Sequence, residues 1–309
     1  MHVLAWDYSD NRIYKKLGHV KNRTHKNYIC NNYICVINKN WKEEEMSTNP
    51  KIIFFDIDGT IWDENYNIPD STIKTIKLLK ENGHKTFICS GRAKGNIIDE
   101  KLLNIGFDGI IAACGNHIEM NGKILYENIL SDELVKKSLD VTKEQHIPVV
   151  LEGPVYHWLD VEKFSGDPYT IKLKKVLKDK ALPLEEYEGK IVINKFSGDI
   201  TKDTDMNVVE EKLGDDFDFL IHEGDVIEFV PKNTSKATGI KKVCELLNID
   251  NCDTFAVGDS INDVEMLEFV NTGIAMGNCT QPAREVADYV TTSLWEDGIF
   301  NAMKHFELI

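Results

Sequence analysis

Two aspartates stand at the end of a short apolar segment and could together bind a metal ion. Asp56 and Asp58 follow the apolar run 51–55, which has the length and composition of a buried parallel strand. Open α/β sheets bind ligands beyond the carboxyl ends of their strands. Two neighbouring carboxylates there are costly unless a cation compensates them, and hard oxygen ligands favour Mg²⁺. The alternative is a simple strand-end turn, in which Asp and Gly are common.

Two further elements could bind phosphate. Ser90, Gly91 and Arg92 follow the predicted strand 85–89, where a hydroxyl group and free backbone amides could hold a phosphate oxygen. Lys236 opens a predicted helix and could add a positive charge. Each signal is weak alone, because Ser-Gly is common in turns and a single lysine is most often solvated. Arg92 could contact substrate or support its loop, and the sequence leaves both open.

A fourth element supplies more oxygen ligands. The segment 258–263 follows another predicted strand and contains Asp259 and Asp263. Strand ends from separate units of a parallel sheet converge on one crevice, so these two carboxylates can join Asp56 and Asp58 around one cation. The four elements together predict a Mg²⁺ site beside a phosphate-binding site.

The elements that must position these residues alternate between strand and helix from residue 51 onward. Strands are predicted over 51–55, 85–89, 109–113, 254–257, 273–276 and 289–291. Helices are predicted over 70–82, 95–105, 236–247 and 262–269. This order predicts an α/β fold with a doubly wound, Rossmann-like parallel sheet.

The middle of the chain has a different order, which predicts an inserted α+β domain. Its predicted strands are 148–151, 190–195 and 217–222, and its predicted helices are 132–145, 169–179 and 205–213. The alternation of helices and strands that predicts a parallel sheet resumes after the apolar segment 226–230. The predicted domains are an N-terminal extension over 1–45, a core formed by 46–128 and 225–309, and an insert over 129–224.

His157 and Trp158 lie in an aromatic stretch of the insert. They could line a substrate-facing surface, or they could be partly buried packing residues, which is the commoner role.

Composition narrows the class of partner. The 309 residues are 42% hydrophobic and carry a formal charge of −15, so a globular protein is expected. Nucleic acid is not expected as the partner, because phosphate backbones require a basic surface. A small phosphorylated metabolite remains compatible. No apolar run approaches the roughly 18 residues of a membrane span, so no membrane association is expected. The oligomeric state cannot be inferred.

The first 45 residues differ from the rest. They contain 8 Lys and Arg against 5 Asp and Glu, lack a sustained period and are expected to be poorly ordered. A zinc site is a weak alternative, since the spacing of its candidate ligands fits no common pattern; these are His19, His25, Cys30 and Cys35. The 7 cysteines form no paired framework, and free thiols in a reducing cytoplasm are expected.

The four elements in this order resemble the haloacid dehalogenase superfamily. The shared pattern is Asp-x-Asp-Gly-Thr at 56–60, a strand-end Ser90, Lys236 at a helix start, and Gly-Asp-x-x-Asn-Asp at 258–263. The resemblance covers residue 51 to the C-terminus and extends to the Cof-type phosphatases, which carry a large α/β cap where this chain has its insert. Relatives usually have Asn-Gly-Ala where this chain has Cys114-Gly-Asn116, and the first 45 residues have no counterpart in the family.

The resemblance also implies residue roles, which agree with the chemistry. Asp56 would attack phosphorus and form an aspartyl-phosphate, and Asp58 would act as acid and then as base. Asp56, Asp259 and the backbone carbonyl of Asp58 would hold Mg²⁺. Ser90, with Gly91 beside it, and Lys236 would bind the phosphoryl oxygens. Two further residues would support the site, Asp263 by supporting the metal and Asn262 by ordering its loop.

The expected activity is a magnesium-dependent phosphatase for small phosphate monoesters in the cytoplasm. Sugar phosphates, flavin mononucleotide and pyridoxal phosphate are typical substrates of the family. One alternative is a phosphomutase, which would return the phosphoryl group to a sugar. Another is a non-catalytic regulator that binds phosphorylated metabolites, although the intact Asp56 argues against it.

Overall fold

A computed structural model describes residues 4–7, 12–15, 50–159, 168–184, 191–222 and 225–309. Its strands are β1 Leu4–Asp7, β2 Arg12–Lys15, β3 Ile52–Phe55, β4 Lys85–Cys89, β5 Gly109–Ala112, β6 His117–Met120, β7 Lys123–Glu127, β8 Val149–Glu152, β9 His157–Leu159, β10 Ala181–Pro183, β11 Lys195–Asp199, β12 Phe217–Ile221, β13 Val226–Pro231, β14 Thr254–Gly258, β15 Thr272–Ala275 and β16 Tyr289–Val290. Its α-helices are α1 Asp70–Glu81, α2 Glu100–Leu103, α3 Asp132–Glu144, α4 Pro168–Leu177, α5 Met206–Leu213, α6 Lys236–Leu247, α7 Val264–Phe269, α8 Gln281–Val286 and α9 Gly298–His305.

The N-terminal extension contains one described feature. Strands β1 and β2 pair antiparallel, with Leu4 opposite Lys15, which the sequence did not predict. The predicted lack of order in the rest of residues 1–45, and the candidate zinc ligands His19, His25, Cys30 and Cys35, lie outside the described residues.

The core is built on an eight-stranded sheet with the order β16-β15-β14-β3-β4-β5-β6-β7. Neighbours from β16 to β5 run parallel, and β6 and β7 form an antiparallel hairpin at one edge. The sequence prediction of a doubly wound parallel sheet is therefore confirmed. Strand β3, which precedes Asp56, lies between β14 and β4 near the middle of the sheet.

Both faces of this sheet are covered by helices, as the apolar run of β3 requires. Ile53 and Phe55 pack in one cluster with α1 and α9, while Ile52 and Phe54 pack in another with α6, α7 and α8. All four side chains are buried. Successive side chains of a strand point to opposite faces, so only a strand covered on both sides accommodates such a run.

The insert forms a second sheet of six strands with the order β10-β9-β8-β11-β13-β12. Strand β13, Val226–Pro231, pairs antiparallel with both β11 and β12 and so belongs to this sheet. The boundary expected at residues 224 and 225 therefore differs from the structure, because the cap continues to Pro231. An alternating strand pattern does not by itself indicate which sheet the strand joins.

The two faces of the cap sheet differ in chemistry. One face packs against α3 and α5 and carries a row of apolar side chains that includes Leu151, Trp158 and Phe196. In the paired register, Glu152 lies opposite His157 and Lys195, so these polar residues share the other face, which also carries Val150 and Leu159 packed against α4. Trp158 is therefore a residue of the cap's hydrophobic core, whereas His157 lies on the polar face.

Two predicted elements differ in the structure. The helix expected over 95–105 is a 3₁₀ turn, Lys94–Asn96, followed by the short helix α2, whose first turn is capped by Asp99. The interruption coincides with a contact to the cap, since the Gly95 amide donates to the carbonyl of Gly153 at 3.2 Å. The strand expected over 190–195 begins instead at Lys195. Ile191 and Ile193 are buried in the cap core without being part of a strand.

Across the described ranges, no helix combines the length and the apolar character needed to span a bilayer.

Candidate active site

The predicted site residues meet at the carboxyl ends of three adjacent core strands. Strands β14, β3 and β4 are neighbours, and they lead into Asp259, Asp56 and Ser90 respectively. The Asp56 amide donates to the Val257 carbonyl at 2.9 Å, which fixes this residue beside the end of β14. The position agrees with the rule that open α/β sheets bind ligands at this edge.

Lys236 lies at the centre of the site. Its Nζ donates to Asp56 Oδ1 and Asp263 Oδ1, each at 2.6 Å, and to Asn262 Oδ1 at 3.1 Å. The side chain is buried, and the capping box of Ser235 sets the start of the helix that carries it. Burial lowers the pKa of Lys236, but the charges of Asp263 and Asp56 outweigh it and hold the pKa well above its usual value. The lysine is therefore a fixed cation.

Three carboxylates beside Lys236 could hold a metal ion. One oxygen from each of Asp56, Asp259 and Asp263 lies within 4.8 Å of the others. Burial, and then the charge of Asp263, raise the pKa of Asp259 to about 7, and the same two causes raise the pKa of Asp56. A buried excess of negative charge made of hard oxygen donors fits a divalent cation such as Mg²⁺. The Asp58 carboxylate is not part of this group.

Gly59 allows the site loop to pass close to Asp259. It has a φ of +81°, and a Cβ at this position would lie 2.3 Å from Asp259 Oδ2. The next residue, Thr60, donates its hydroxyl to Asp259 Oδ1 at 2.8 Å. The Gly-Thr pair of the first motif thus orients a carboxylate of the fourth motif.

The loop after β14 is held together by Asp263 and Asn262. Asp263 Oδ2 accepts from the backbone amides of Asp259 and Ser260, each at 3.0 Å. Asn262 Oδ1 accepts from the Ser260 hydroxyl at 2.6 Å and from Lys236. Both oxygens of Asp263 are therefore engaged, one with the loop and one with Lys236.

Asp58 lies on the outer side of the site and is held by an arginine. Arg92 donates Nε to Asp58 Oδ2 and Nη2 to Oδ1, both at 2.7 Å, and Trp62 donates Nε1 to Oδ1 at 2.9 Å. Desolvation raises the pKa of the half-exposed Asp58, but the Arg92 contacts outweigh it, so the pKa is lowered. The guanidinium also lies over the rings of Trp62 and Tyr66, at 5.4 and 5.8 Å from their centroids. The sequence left Arg92 unassigned and missed Trp62 and Tyr66, although the Ser-Gly-Arg motif was a usable signal.

Ser90 and Gly91 line the boundary between the core and the cap. Ser90 is buried, and its Oγ accepts from the Arg92 amide at 3.2 Å. The Gly91 carbonyl accepts from Nζ of Lys195, a cap residue, at 3.2 Å. The predicted phosphate loop is thus in direct contact with the polar face of the cap, a contact that no sequence motif indicated.

Comparisons with known proteins agree with this architecture. Residues 53–303 match the family model of haloacid dehalogenase-like hydrolases. The candidate phosphatase YkrA of Bacillus subtilis is 35% identical over 266 residues, which cover 84% of this chain and 98% of YkrA. The 5-amino-6-(5-phospho-D-ribitylamino)uracil phosphatase YitU of the same species is 26% identical, over 84% of this chain and 99% of YitU.

A solved structure is also similar to this chain in fold and sequence. A sugar phosphatase of subclass IIB has a TM-score of 0.68 and 28% identity, with 84% of this chain and 100% of that chain covered. The family match covers most of the chain, including the core sheet, the cap sheet and all four motifs. The chain therefore belongs to the haloacid dehalogenase superfamily and is a phosphatase of its Cof type.

Proposed function

We propose that this phosphatase is magnesium-dependent and hydrolyses small phosphate monoesters through an aspartyl-phosphate on Asp56. The observation that supports this most strongly is the position of Asp56 at the end of β3. Its carboxylate contacts the fixed charge of Lys236 and also belongs to the oxygen cluster formed with Asp259 and Asp263. A nucleophile that approaches an anionic phosphate needs positive charge on both sides.

The first step forms a bond between an Asp56 oxygen and phosphorus and breaks the bond from phosphorus to the leaving oxygen. That oxygen takes a proton from Asp58. In the second step Asp58 takes a proton from water, the water oxygen bonds to phosphorus, and the Asp56–phosphorus bond breaks. The ionised Asp58, bound by Arg92 and Trp62, is the form that accepts this proton, and the proton taken from water is the one that Asp58 gives to the leaving oxygen of the next turnover.

The remaining residues stabilise charge. Lys236 and Ser90, with the backbone at Gly91, would bind the phosphoryl oxygens, and Asp263 and Asn262 would keep Lys236 and the Asp259 loop in place. Mg²⁺ held by Asp56, Asp259 and the backbone carbonyl of Asp58 would neutralise charge on the phosphate, with Asp263 as support.

The substrate class is a small phosphorylated metabolite. The relatives named above act on a phosphoribityl compound and on sugar phosphates, and these classes define the first compounds to test. We also propose a cytoplasmic location. The free thiols of five cysteines in the described ranges support it, because such thiols are typical of a reducing compartment.

Release of inorganic phosphate from a generic aryl phosphate, with Mg²⁺ and with chelator, tests the proposal. Activity should require Mg²⁺, and Asp56→Asn should abolish it. Asp215→Asn is a matched control, since Asp215 is exposed in the turn between α5 and β12. In a single turnover quenched with acid, mass spectrometry should find phosphate on Asp56. Unchanged turnover in Asp56→Asn would rule out this nucleophile, and phosphate that stays on a sugar would indicate a mutase.

A further inference from the structure

The turn between β5 and β6 has a strained backbone. Ala113, Cys114 and Gly115 have φ values of +50°, +53° and +88°, so three successive residues lie in the left-handed region. This conformation is costly for residues that carry a side chain, and it persists only where the surrounding structure enforces it. We call residues 113–116 the junction turn. Its contacts show which parts of the molecule hold it in this conformation.

The junction turn contacts the phosphate loop, residues 90–92. The Ala113 amide donates to the Arg92 carbonyl at 2.8 Å, and the Cys114 amide donates to the Ser90 carbonyl at 3.2 Å. The two residues with strained backbones and side chains therefore bind both ends of the loop that is expected to hold the phosphoryl oxygens.

The junction turn also packs against the start of α6. A Cβ at Gly115 would lie 2.5 Å from the Ser235 carbonyl oxygen and 3.0 Å from the Gly239 amide nitrogen. Ser235 is the N-cap of α6 and immediately precedes Lys236. A shift of the turn would therefore displace the start of the helix and Lys236 with it.

Two segments of chain connect the core with the cap. Residues 128–131 lead from β7 into the cap, and residues 232–235 return from β13 to α6. We call them the outgoing linker and the returning linker. The Leu130 amide donates to the Ile193 carbonyl of the cap at 3.0 Å, so the outgoing linker joins the cap two residues after Asn128.

Asn116, the last residue of the junction turn, binds both linkers. Its side chain is fully buried, and Nδ2 donates to Thr234 Oγ1 in the returning linker at 3.0 Å. In the outgoing linker, Asn128 Nδ2 donates to Asn116 Oδ1 and the Asn128 amide donates to the Asn116 carbonyl, each at 2.8 Å. Asn116 Nδ2 also donates to the Ala113 carbonyl at 2.7 Å. A buried network whose members are all paired favours one rigid arrangement.

We propose that Asn116 is a positioning residue for the phosphatase reaction, because it fixes both linkers to the junction turn and so keeps Lys236 in place. The inference rests on the proposed role of Lys236 and deepens it. Thr234 is held only two residues before Lys236, so a displacement of the cap is stopped before it reaches the lysine. Asn116 acts through Thr234 and the junction turn, since its side chain binds these and not the catalytic carboxylates.

Steady-state kinetics with an aryl phosphate and Mg²⁺ tests the inference in Asn116→Ala, Thr234→Val and Lys236→Met. Asn116→Ala removes all three side-chain hydrogen bonds, and Thr234→Val removes the hydroxyl group that Asn116 binds. We expect kcat to fall at least about tenfold in Asn116→Ala and about threefold in Thr234→Val, with KM within about threefold of wild type. The reason is that misplaced charge-stabilising groups weaken the transition state more than the bound substrate.

Asn251→Ala is the matched control. Asn251 also donates Nδ2 to a backbone carbonyl, that of Phe269, at 3.1 Å. It precedes β14 and so lies at the strand ends opposite the site. This variant should keep the kcat of wild type.

Hydrogen exchange measures the linkers themselves, independently of activity. In Asn116→Ala the backbone amides of 128–131 and 232–236 should exchange at least about tenfold faster than in wild type, because both linkers lose an attachment to the core. In Asn251→Ala the same amides should exchange as in wild type.

A wild-type kcat in folded Asn116→Ala overturns the inference, and so does unchanged exchange of both linkers. An equal fall of kcat in Asn251→Ala also overturns it and assigns Asn116 a general structural role. Thermal unfolding of each variant identifies a folding defect in Asn116→Ala, in which case Thr234→Val decides, and a wild-type kcat there rejects the inference. A wild-type kcat in Lys236→Met rejects the proposed role of Lys236 together with the inference. A reduced kcat in Lys236→Met beside a wild-type kcat in Asn116→Ala rejects the inference alone.

Discussion

Arg92 donates two parallel hydrogen bonds to Asp58, from Nε and Nη2, and both are 2.7 Å long. The same guanidinium lies over the ring of Trp62, whose Nε1 also donates to Asp58. The carboxylate closest to the proposed leaving group is thus held by a planar fork that is itself held by an aromatic ring. Lysine cannot reproduce this geometry, because its ammonium lacks both the fork and the flat face.

Replacement of Arg92 by lysine should reduce kcat/KM by roughly 10- to 100-fold, since one charge-assisted hydrogen bond and the stacking are lost. Steady-state kinetics of Arg92→Lys with an aryl phosphate measures this effect. Arg284→Lys is the control, because Arg284 is exposed and its side chain donates only to the backbone carbonyl of Gly277 in the described structure. Equal kinetics of the two variants would show that the fork does not position Asp58.

Removal of the charge of Lys236 should have a larger effect. Lys236→Met leaves Asp56 and Asp263 without the cation that each contacts at 2.6 Å. We expect kcat to fall roughly 10²- to 10³-fold, as for loss of a preorganised group that stabilises transition-state charge. Lys241→Met on the same helix removes an exposed lysine and should retain wild-type kcat. Measured kcat values within threefold of each other would contradict a role in catalysis.

The glycine of the first motif should be required for steric reasons. Gly59→Ala introduces a methyl group 2.3 Å from Asp259 Oδ2 in a left-handed backbone, so the carboxylate must move. The Mg²⁺ concentration for half-maximal activity should rise at least tenfold, and stability should fall by about 2–4 kcal/mol from backbone strain and overpacking.

Gly106→Ala separates the two causes. Gly106 has a φ of +90° but no atom within 4 Å of an added Cβ, so it keeps the strain and lacks the clash. Urea unfolding should show a cost of only about 1–2 kcal/mol, and the Mg²⁺ dependence should match wild type. An unchanged Mg²⁺ dependence in Gly59→Ala as well would mean that Asp259 does not bind the ion.

The convergence of the site could be predicted from the sequence because parallel strands impose it. Asp56, Ser90 and Asp259 each follow a strand with an apolar pattern, and strand ends of one parallel sheet meet at one edge. The role predicted for Lys236 depended on its place in the order of the motifs, since a lysine at a helix start has no distinctive local signal. The burial of this lysine between two carboxylates results from tertiary packing.

The cap could be predicted as an insert but not in its internal pairing. Lys195 follows an apolar segment and carries no motif, and only the pairing of β11 with β8 brings it beside Glu152. Strand β13 has an alternating pattern that suits either domain, and its register with β11 and β12 decides the matter. Antiparallel partners far apart in sequence are set by packing, which local patterns do not encode.

A buried histidine of the cap should make the protein sensitive to acid. His157 is 1% exposed, and neither ring nitrogen has a hydrogen-bond partner among the described residues. Burial, together with the charges of Lys195 and Lys180, lowers its pKa to about 3. Between this value and the unfolded value of about 6.5, the unfolded chain binds a proton that the folded chain does not. The contribution of the neutral His157 to the stability is therefore fully present above about pH 6.5, and it is lost as the pH falls toward 3.

The linkage gives about 1.4 kcal/mol per pH unit, so His157 should remove about 2 kcal/mol of stability between pH 7 and pH 5. Urea unfolding at pH 7 and at pH 5 gives the free energy of unfolding of wild type and of His157→Leu. The decrease of this free energy between the two pH values should be about 2 kcal/mol smaller in the variant. His305→Leu is the control, because it removes an exposed imidazole from α9. Parallel pH dependence in wild type and His157→Leu would mean that His157 is hydrated or paired in solution, and that the acid sensitivity has another origin.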